Sequence, residues 1–462
     1  MFHLPKTRHK YQQMKKYLVI IATIFFSYTV VAQDQDPMTL SLQEAIDYAV
    51  KNSYDNKVAE QDIESAKKQK WETTTIGLPQ VEGSVDYQNF LKQQVSLIPA
   101  EFFGGNPGEF AEVIFGTKQN INAAVTLRQL LFDGSYLVGL QSARTFLKIS
   151  EQAKEKTELL TREAVINAYG NVLVAERSID IFNSNIEILE KNLNDTGKTY
   201  ENGLTEEEDV EQLEITLGNI KSQLNSVKRL KGIAYQMLNI TLGNDIETKL
   251  TLTDSLDSLT ENNIDFALIG SSFDLSNHID YRIAENDRES KRLLMQLERS
   301  KALPTLNAFV NYGTQIFSNS TTPLDFEGER GFNYSLLGVS LKVPIFSSLG
   351  RSARTQRAKI NLDIADIRLK ETEEKLSLQA KRAKSNYQLS IEDYQTAKKN
   401  LDLAERIEKK QRIKFSEGIS SSFDLTQAQN QLYTQQQTFI QSMLDVIAKK
   451  AALENALNIP LK

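Results

Sequence analysis

Between about residues 135 and 200 the chain carries no proline, and from Val165 its apolar residues step by sevens. Val165, Val172, Ile179, Ile186 and Leu193 interleave with Ala168, Ala175, Phe182 and Leu189. That is an uninterrupted a/d heptad seam. A continuous helix over those residues spans ~100 Å at 1.5 Å per residue. A compact domain has no use for a helix of that reach, whereas a rod or a tube does. The pattern then returns. Adding 215 to positions 172, 179 and 186 lands on Tyr387, Tyr394 and Leu401, on one seam with Ala383, Ala397 and Ala404.

Other stretches recur in the same order. "YENGLTEEEDVEQLEITL" (200 to 217) returns as "FSEGISSSFDLTQAQNQL" (415 to 432), pairing Gly203 with Gly418, Asp209 with Asp424, Gln212 with Gln427 and Leu217 with Leu432. "GLPQVEGSVDY" (77 to 87) answers to "ALPTLNAFVNY" (302 to 312), "VTLRQLLFDG" (125 to 134) to "VSLKVPIFSS" (339 to 348), and "MLNITL" (237 to 242) to "ALNIPL" (456 to 461). The chain is therefore an internal duplication, with a first repeat at 33–250, a linker at 251–275 and a second repeat at 276–462. Each half reads as helix, strand, strand, long helix, helix. The first helices are expected from Leu42 to about Thr75 and from Ser276 to about Leu303, each stopped just before a proline, Pro79 or Pro304.

The material between first helix and long helix has a different period. In "TLNAFVNYGTQI" (305 to 316) Leu306, Ala308, Val310 and Tyr312 share one face, with Asn307, Asn311 and Gln315 on the other. In "NINAAVTLRQL" (120 to 130) Ile121, Ala123, Val125 and Leu127 oppose Asn122, Thr126 and Arg128. Alternating segments of about ten residues suit membrane-spanning β-strands as well as ordinary half-buried strands. The connections "SLIPAEFFGGNPGEF" (96 to 110) and "FSNSTTPLDFEGERGF" (317 to 332) read as long exposed loops, which favours the membrane reading. Two strands per half give four per chain, too few to close a barrel, and open edges are not tolerated in lipid. Copies must pool strands: two chains give eight, with a filled interior, and three give twelve, with a lumen.

The N-terminus carries its own signal. Met14-Lys15-Lys16 precedes "YLVIIATIFFSYTVVA", with Val30 and Ala32 at −3 and −1, which reads as a secretory signal cleaved after Ala32, residues 1–13 being an upstream extension. Its removal takes Lys6, Arg8, Lys10, Lys15 and Lys16 but no acid, moving the formal charge from −6 to −11. An acidic exported chain without basic blocks is not built for nucleic acid. Cysteine is absent, so disulfides and a lipidated N-terminal cysteine are excluded. Of three histidines only His278 remains, which leaves little for catalysis or a metal site. No nucleophile-elbow motif occurs, and neither a catalytic residue nor a cofactor is expected.

These motifs resemble the TolC-like outer-membrane efflux protein family over about residues 38 to 462. The resemblance is carried by Leu78-Pro79 and Leu303-Pro304 where each strand pair begins, by "LFDG" (131 to 134) and "VPIFSSLG" (343 to 350) before each long helix, and by the two Gly-x5-Asp-[Val/Leu] stretches. It implies a homotrimer with a twelve-stranded β-barrel in the outer membrane and an α-helical barrel reaching into the periplasm. It also implies docking to a periplasmic adaptor and an inner-membrane pump of the proton-driven (RND) or ATP-driven (ABC) class, in efflux or type I secretion.

On that reading the stretches at 200 and 415 are the turns where long helices reverse at the periplasmic end. Gly203, Leu204 and Thr205, with Gly418, Ile419 and Ser420, are the expected docking tips. Thr205 with Glu208, and Ser421 with Asp424, have capping-box spacing. The resemblance places Asp209 and Asp424, with Gln212 and Gln427, at a constricted entrance, where a carboxylate ring would favour cations. Some positions depart from the family pattern. Gln427 stands where a second acid is usual, and Phe415 and Ser420 replace the aromatic hydroxyl and the basic residue of the closed-state latch. A coiled-coil periplasmic structural or adaptor protein without a barrel is the alternative. The loop at 91–118 has no counterpart of equal length.

Overall fold

The computed structural model describes residues 38–459. The expected signal peptide and its cleavage site lie outside the described residues. The first repeat opens with β1 (Met38–Leu40), α1 (Leu42–Asn52) and α2 (Tyr54–Thr75), followed by β2 (Gln80–Asn89), β3 (Val95–Pro99), β4 (Phe110–Ile114) and β5 (Gln119–Asp133). The long helix α3 (Gly134–Glu201) and its return α4 (Glu207–Leu242) complete it. Next come β6 (Leu250–Leu252), α5 (Leu256–Asn262) and α6 (Phe266–Gly270). The second repeat runs α7 (Ile279–Ser300), β7 (Thr305–Ser318), β8 (Gly331–Lys342), α8 (Gly350–Ser416) and α9 (Ser422–Ala456).

The heptad seam does make one helix. α3 has 68 residues and α8 has 67, each ~100 Å long. Asp133 starts α3 by accepting the amides of Ser135 and Tyr136. The returning helices are about half as long, 36 and 35 residues. Each long helix therefore packs on its returning partner over one half and on α2 or α7 over the other. On the α3 seam Val165, Val172, Phe182 and Leu189 are buried, and Leu213, Leu217, Ile220 and Leu224 of α4 close over its lower part. A fully buried leucine such as Leu189 or Leu213 contributes roughly 1.5–3 kcal/mol. On α8 the seam is narrower: Ala380, Ala397 and Ala404 are buried beside Tyr387 and Tyr394.

The first helix is not continuous from Leu42 to Thr75. It breaks at Ser53, whose backbone is extended and whose hydroxyl caps α2 through the Asn56 amide. The break admits the end of α4: a Cβ on Gly243 would lie 2.2 Å from the Asn52 carbonyl oxygen. Here, mid-column, β1 pairs in parallel with β6, and α5 and α6 lie against the long helices. Two buried tyrosines tie this belt down. The Tyr169 hydroxyl donates to the Leu40 carbonyl (3.1 Å) and to Asp254 (2.9 Å), and the Tyr387 hydroxyl accepts the Asp265 amide (2.8 Å).

At the other end the chain makes a four-stranded antiparallel sheet in the order β2-β5-β7-β8. The register sorts it into two faces. Val81, Leu127, Val310 and Leu337 line up across one face, and all are exposed. The opposite face carries polar pairs: Arg128 with Glu82 (2.6 Å), Asn311 with Thr126 (2.8 Å), and Tyr334 with Asn122 (2.9 Å). Glycines there are roofed by the paired aromatic, Phe309 over Gly338 and Tyr334 over Gly313. β2 and β8 each pair on one side only, so the sheet has two open edges.

The connection at 96–110 is not a loop. β3 and β4 pair antiparallel, joined through a 3-10 turn at Ala100–Phe103. The connection at 317–332 is a loop, pinned by buried Gln119. The Gln119 amide donates to the Ser320 (2.8 Å) and Thr322 (2.7 Å) carbonyls, and its oxygen accepts the Leu324 amide and the Tyr87 hydroxyl.

Candidate functional site at the helical tips

The two long helices end in the same way. The Gly203 amide donates to the Tyr200 carbonyl and the Leu204 amide to the Thr199 carbonyl; Gly418 and Ile419 do the same to Phe415 and Lys414. These are Schellman turns, with the glycine in the left-handed region at φ 71° and φ 67°. Nothing lies within 4 Å of a Cβ built on either glycine, so the requirement there is conformational rather than steric. A Schellman turn commonly buries the residue after its glycine against the helix. Here Leu204 and Ile419 are 78% and 74% exposed, and Phe423 in the first turn of α9 is 68% exposed. Both tips present bare apolar side chains.

The returning helices start differently. Ser421 and Asp424 form a complete capping box, with the Asp424 amide on the Ser421 hydroxyl at 3.2 Å and that hydroxyl on the Asp424 carboxylate at 2.9 Å. Hydrogen bonds from Ser421, and then from Ser420, hold the Asp424 carboxyl below its usual range. Thr205 and Glu208 do not form the matching box. α4 begins at the position matching the start of α9, one residue after the expected cap at Thr205, with Glu206 in the N-cap position and no side-chain cap. Four consecutive acids, Glu206 to Asp209, supply negative charge to that N-terminus instead. The Thr205 hydroxyl turns to donate to Asp209.

Asp209 is thus unlike its repeat mate. Asp424 is exposed and serves its own helix, whereas Asp209 is half-buried between the two tips. Burial pushes its carboxyl up. Hydrogen bonds from the hydroxyls of Ser422 and Thr205 and from the Ser422 backbone outweigh that and leave it lowered. Ser422 is the first residue of α9, so a carboxylate of the first hairpin sits on the N-terminus of a helix of the second. A second tie lies deeper, where Asn185 of α3 donates to Gln436 of α9 at 2.8 Å.

Between the tips is a cleft of about 340 Å³ lined by Asn192, Asp195, Thr205, Asp209, Arg412 and Ser420, among others. Phe415 lines it too and packs on the lower apolar cluster with Leu425. Ser420 donates within its own hairpin, to Gln411 and Asp424, both at 3.3 Å. Gln212 is half-exposed and Gln427 exposed, each one turn further along its helix. Just above, Glu408 is buried; burial raises its carboxyl, and only partly does Arg412 at 3.5 Å offset this. Among the described residues no group of acids and histidine is placed to hold a metal ion.

The structure therefore brings Thr205 and Asp209 together with Ser422, and Ser420 with Asp424. Sequence reasoning missed Ser422, Asn185 and Gln436. Asn185 gave no signal in the sequence, since it lies beside the seam among other polar residues, Asn183, Ser184 and Glu187.

Comparison with known proteins gives the fold a context. Residues 274–458 match the outer membrane efflux protein family. No curated protein sequence matches the chain. Among solved structures, the outer membrane protein VceC of Vibrio cholerae is 14% identical at TM-score 0.69, covering 91% of this chain and 97% of its own. CusC, a transmembrane channel, is 17% identical at TM-score 0.71, covering 90% and 92%. The open-state MtrE outer membrane channel of Neisseria gonorrhoeae is 17% identical at 0.69, covering 91% and 89%. Each shares the fold of this chain over about nine-tenths of its length.

Proposed function

We propose, from the match of residues 274–458 to the outer membrane efflux protein family and a fold shared with outer-membrane channels over about nine-tenths of the chain, that it is the passive outer-membrane conduit of a tripartite export system. Its place is the outer membrane, with the helical columns reaching into the periplasm. The observation that carries the reading is the sheet. It has one apolar exposed face and two open edges, and it stands at one end of columns ~100 Å long. In lipid, both edges must be paired. The order β2-β5-β7-β8 is antiparallel throughout, so β8 of one copy meets β2 of the next in the same sense and repetition closes a ring. Three copies give twelve strands and a lumen, with a helical barrel beneath. A coiled-coil protein without a barrel would have no use for that face or those edges.

The chain works by partnership, not catalysis. The bare Leu204 and Ile419, set by Gly203 with Thr205 and by Gly418 with Ser420, are the surface offered to a periplasmic adaptor, which links the conduit to a proton-driven or ATP-driven inner-membrane pump. Asp209 and Asp424, with Gln212 and Gln427, narrow the entrance and give it a negative field that favours cations. Ser420 donates within its own hairpin and Phe415 packs on the apolar cluster between the hairpins, which leaves Asp209 on the α9 N-terminus as the polar contact joining the two tips of one subunit. The test is conductance in planar bilayers. Cation-selective pores whose selectivity falls in Asp209→Ala/Asp424→Ala, with the oligomer intact, support the entrance; unchanged selectivity at low salt removes it.

A further inference from the structure

The β3–β4 hairpin stands beyond the membrane end of the sheet. Its last link to the β2–β5 pair is the Phe90 amide on the Lys118 carbonyl at 2.8 Å, after which it forms a separate two-stranded sheet. Its surface is rich in apolar side chains, with Leu97, Phe102, Phe103, Phe110 and Phe115 all exposed, Phe102 at 79%, and Glu112 across from Leu97. An isolated two-stranded hairpin is marginal in water, and a contiguous exposed apolar surface marks a contact.

The chain's own outer loop does not cover it. Gln119 draws the 319–330 loop over the top of β5, where the Leu324 amide reaches the Tyr87 hydroxyl at 3.3 Å and Phe326 meets the Tyr87 ring edge-on. Pulled toward β2, the loop leaves the outer end of β8 bare, with Phe332 and the preceding Arg330 exposed. One edge of the sheet thus has an uncovered hairpin above β2, and the other an uncovered outer end of β8 that exposes Phe332.

We propose that the β3–β4 hairpin is an intersubunit clasp, seated on the outer end of the β7–β8 pair of a second copy of this chain. The inference rests on the pooled barrel proposed above, because the same seam that pairs β2 with the next copy's β8 carries the hairpin onto that outer end. Each copy gives one clasp and receives one, a heterologous contact that closes with the ring.

The chain has no cysteine, which makes the test clean. Leu97→Cys combined with Arg330→Cys, at the outer end of β8, treated in outer-membrane vesicles with a short bismaleimide, is expected to give covalently linked chains up to the full oligomer, and each single variant none. In parallel, Phe102→Ser/Phe103→Ser is expected to lower the dissociation temperature of the oligomer by ~5 °C or more while the pore still conducts. An intact oligomer with no crosslink, or an unchanged dissociation temperature, overturns the clasp and leaves the conduit standing. Brominated lipid that quenches a thiol-linked fluorophore on the Leu97→Cys variant would also overturn it, by placing the hairpin in the outer leaflet. A monomeric wild-type chain overturns clasp and conduit together.

Discussion

Removing the carboxylate of Asp209 should loosen the closed tip far more than removing that of Asp424. The geometry sets the difference. Asp209 joins two hairpins, accepting from Ser422 at the first turn of α9, while Asp424 accepts from Ser421 and Ser420 within one hairpin. A hydrogen bond to a charged group contributes ~1.5–3 kcal/mol, and the helix N-terminus adds ~0.3–1. Asp209 is half-buried, so solvent screening argues for the low end, a total of ~2 kcal/mol. That is a ~30-fold change in the ratio of closed to open states. Asp424→Ala removes a capping box, which weakens the folding of its own tip and leaves the tie between tips in place. Single-channel recordings give the closed and open dwell times directly. The pH dependence has a fixed sign. A carboxyl lowered in the folded state stabilises above its unfolded pKa, ~3.9, and the contribution is lost as pH falls through the lower folded value. The tie thus holds at neutral pH and fails only in strong acid, and Asp209→Ala abolishes that acid dependence. Equal closed-to-open ratios in Asp209→Ala and Asp424→Ala would refute the reasoning.

Two further outcomes are expected. Gly203→Val or Gly418→Val puts its Cβ in open space, yet must hold φ near +70°, at a cost of ~1–2 kcal/mol; crosslinking to the adaptor should weaken while the oligomer persists. Val339→Lys puts a charge on the apolar face of β8 and should cost ~2–4 kcal/mol, reducing oligomer yield in membranes, whereas Ser340→Lys on the opposite face should assemble normally.

What the sequence disclosed was what repeats locally. The α3 seam was legible because its apolar period runs unbroken from Val165 to Leu193, and the strand faces because Val125, Leu127 and Val310 alternate with polar neighbours. Ser53 was passed over because a lone serine does not disturb a helical pattern; what breaks the helix is the turn at Gly243, 190 residues on. The 95–114 hairpin read as loop because its strands are five residues each and Pro99 and the Gly104-Gly105 turn dominate the pattern. The start of α4 was misplaced because Thr205 is followed by four acids, any of which can serve a helix N-terminus. The tie from Asp209 to Ser422 joins the two repeats, and no local pattern encodes a contact made only after both hairpins are packed.

Native mass spectrometry of the detergent-solubilised protein tests the pooled cylinder most directly. Three chains per particle, falling to one only on heating, is the predicted result. A single chain per particle, with its β2 and β8 edges left unpaired, would contradict it.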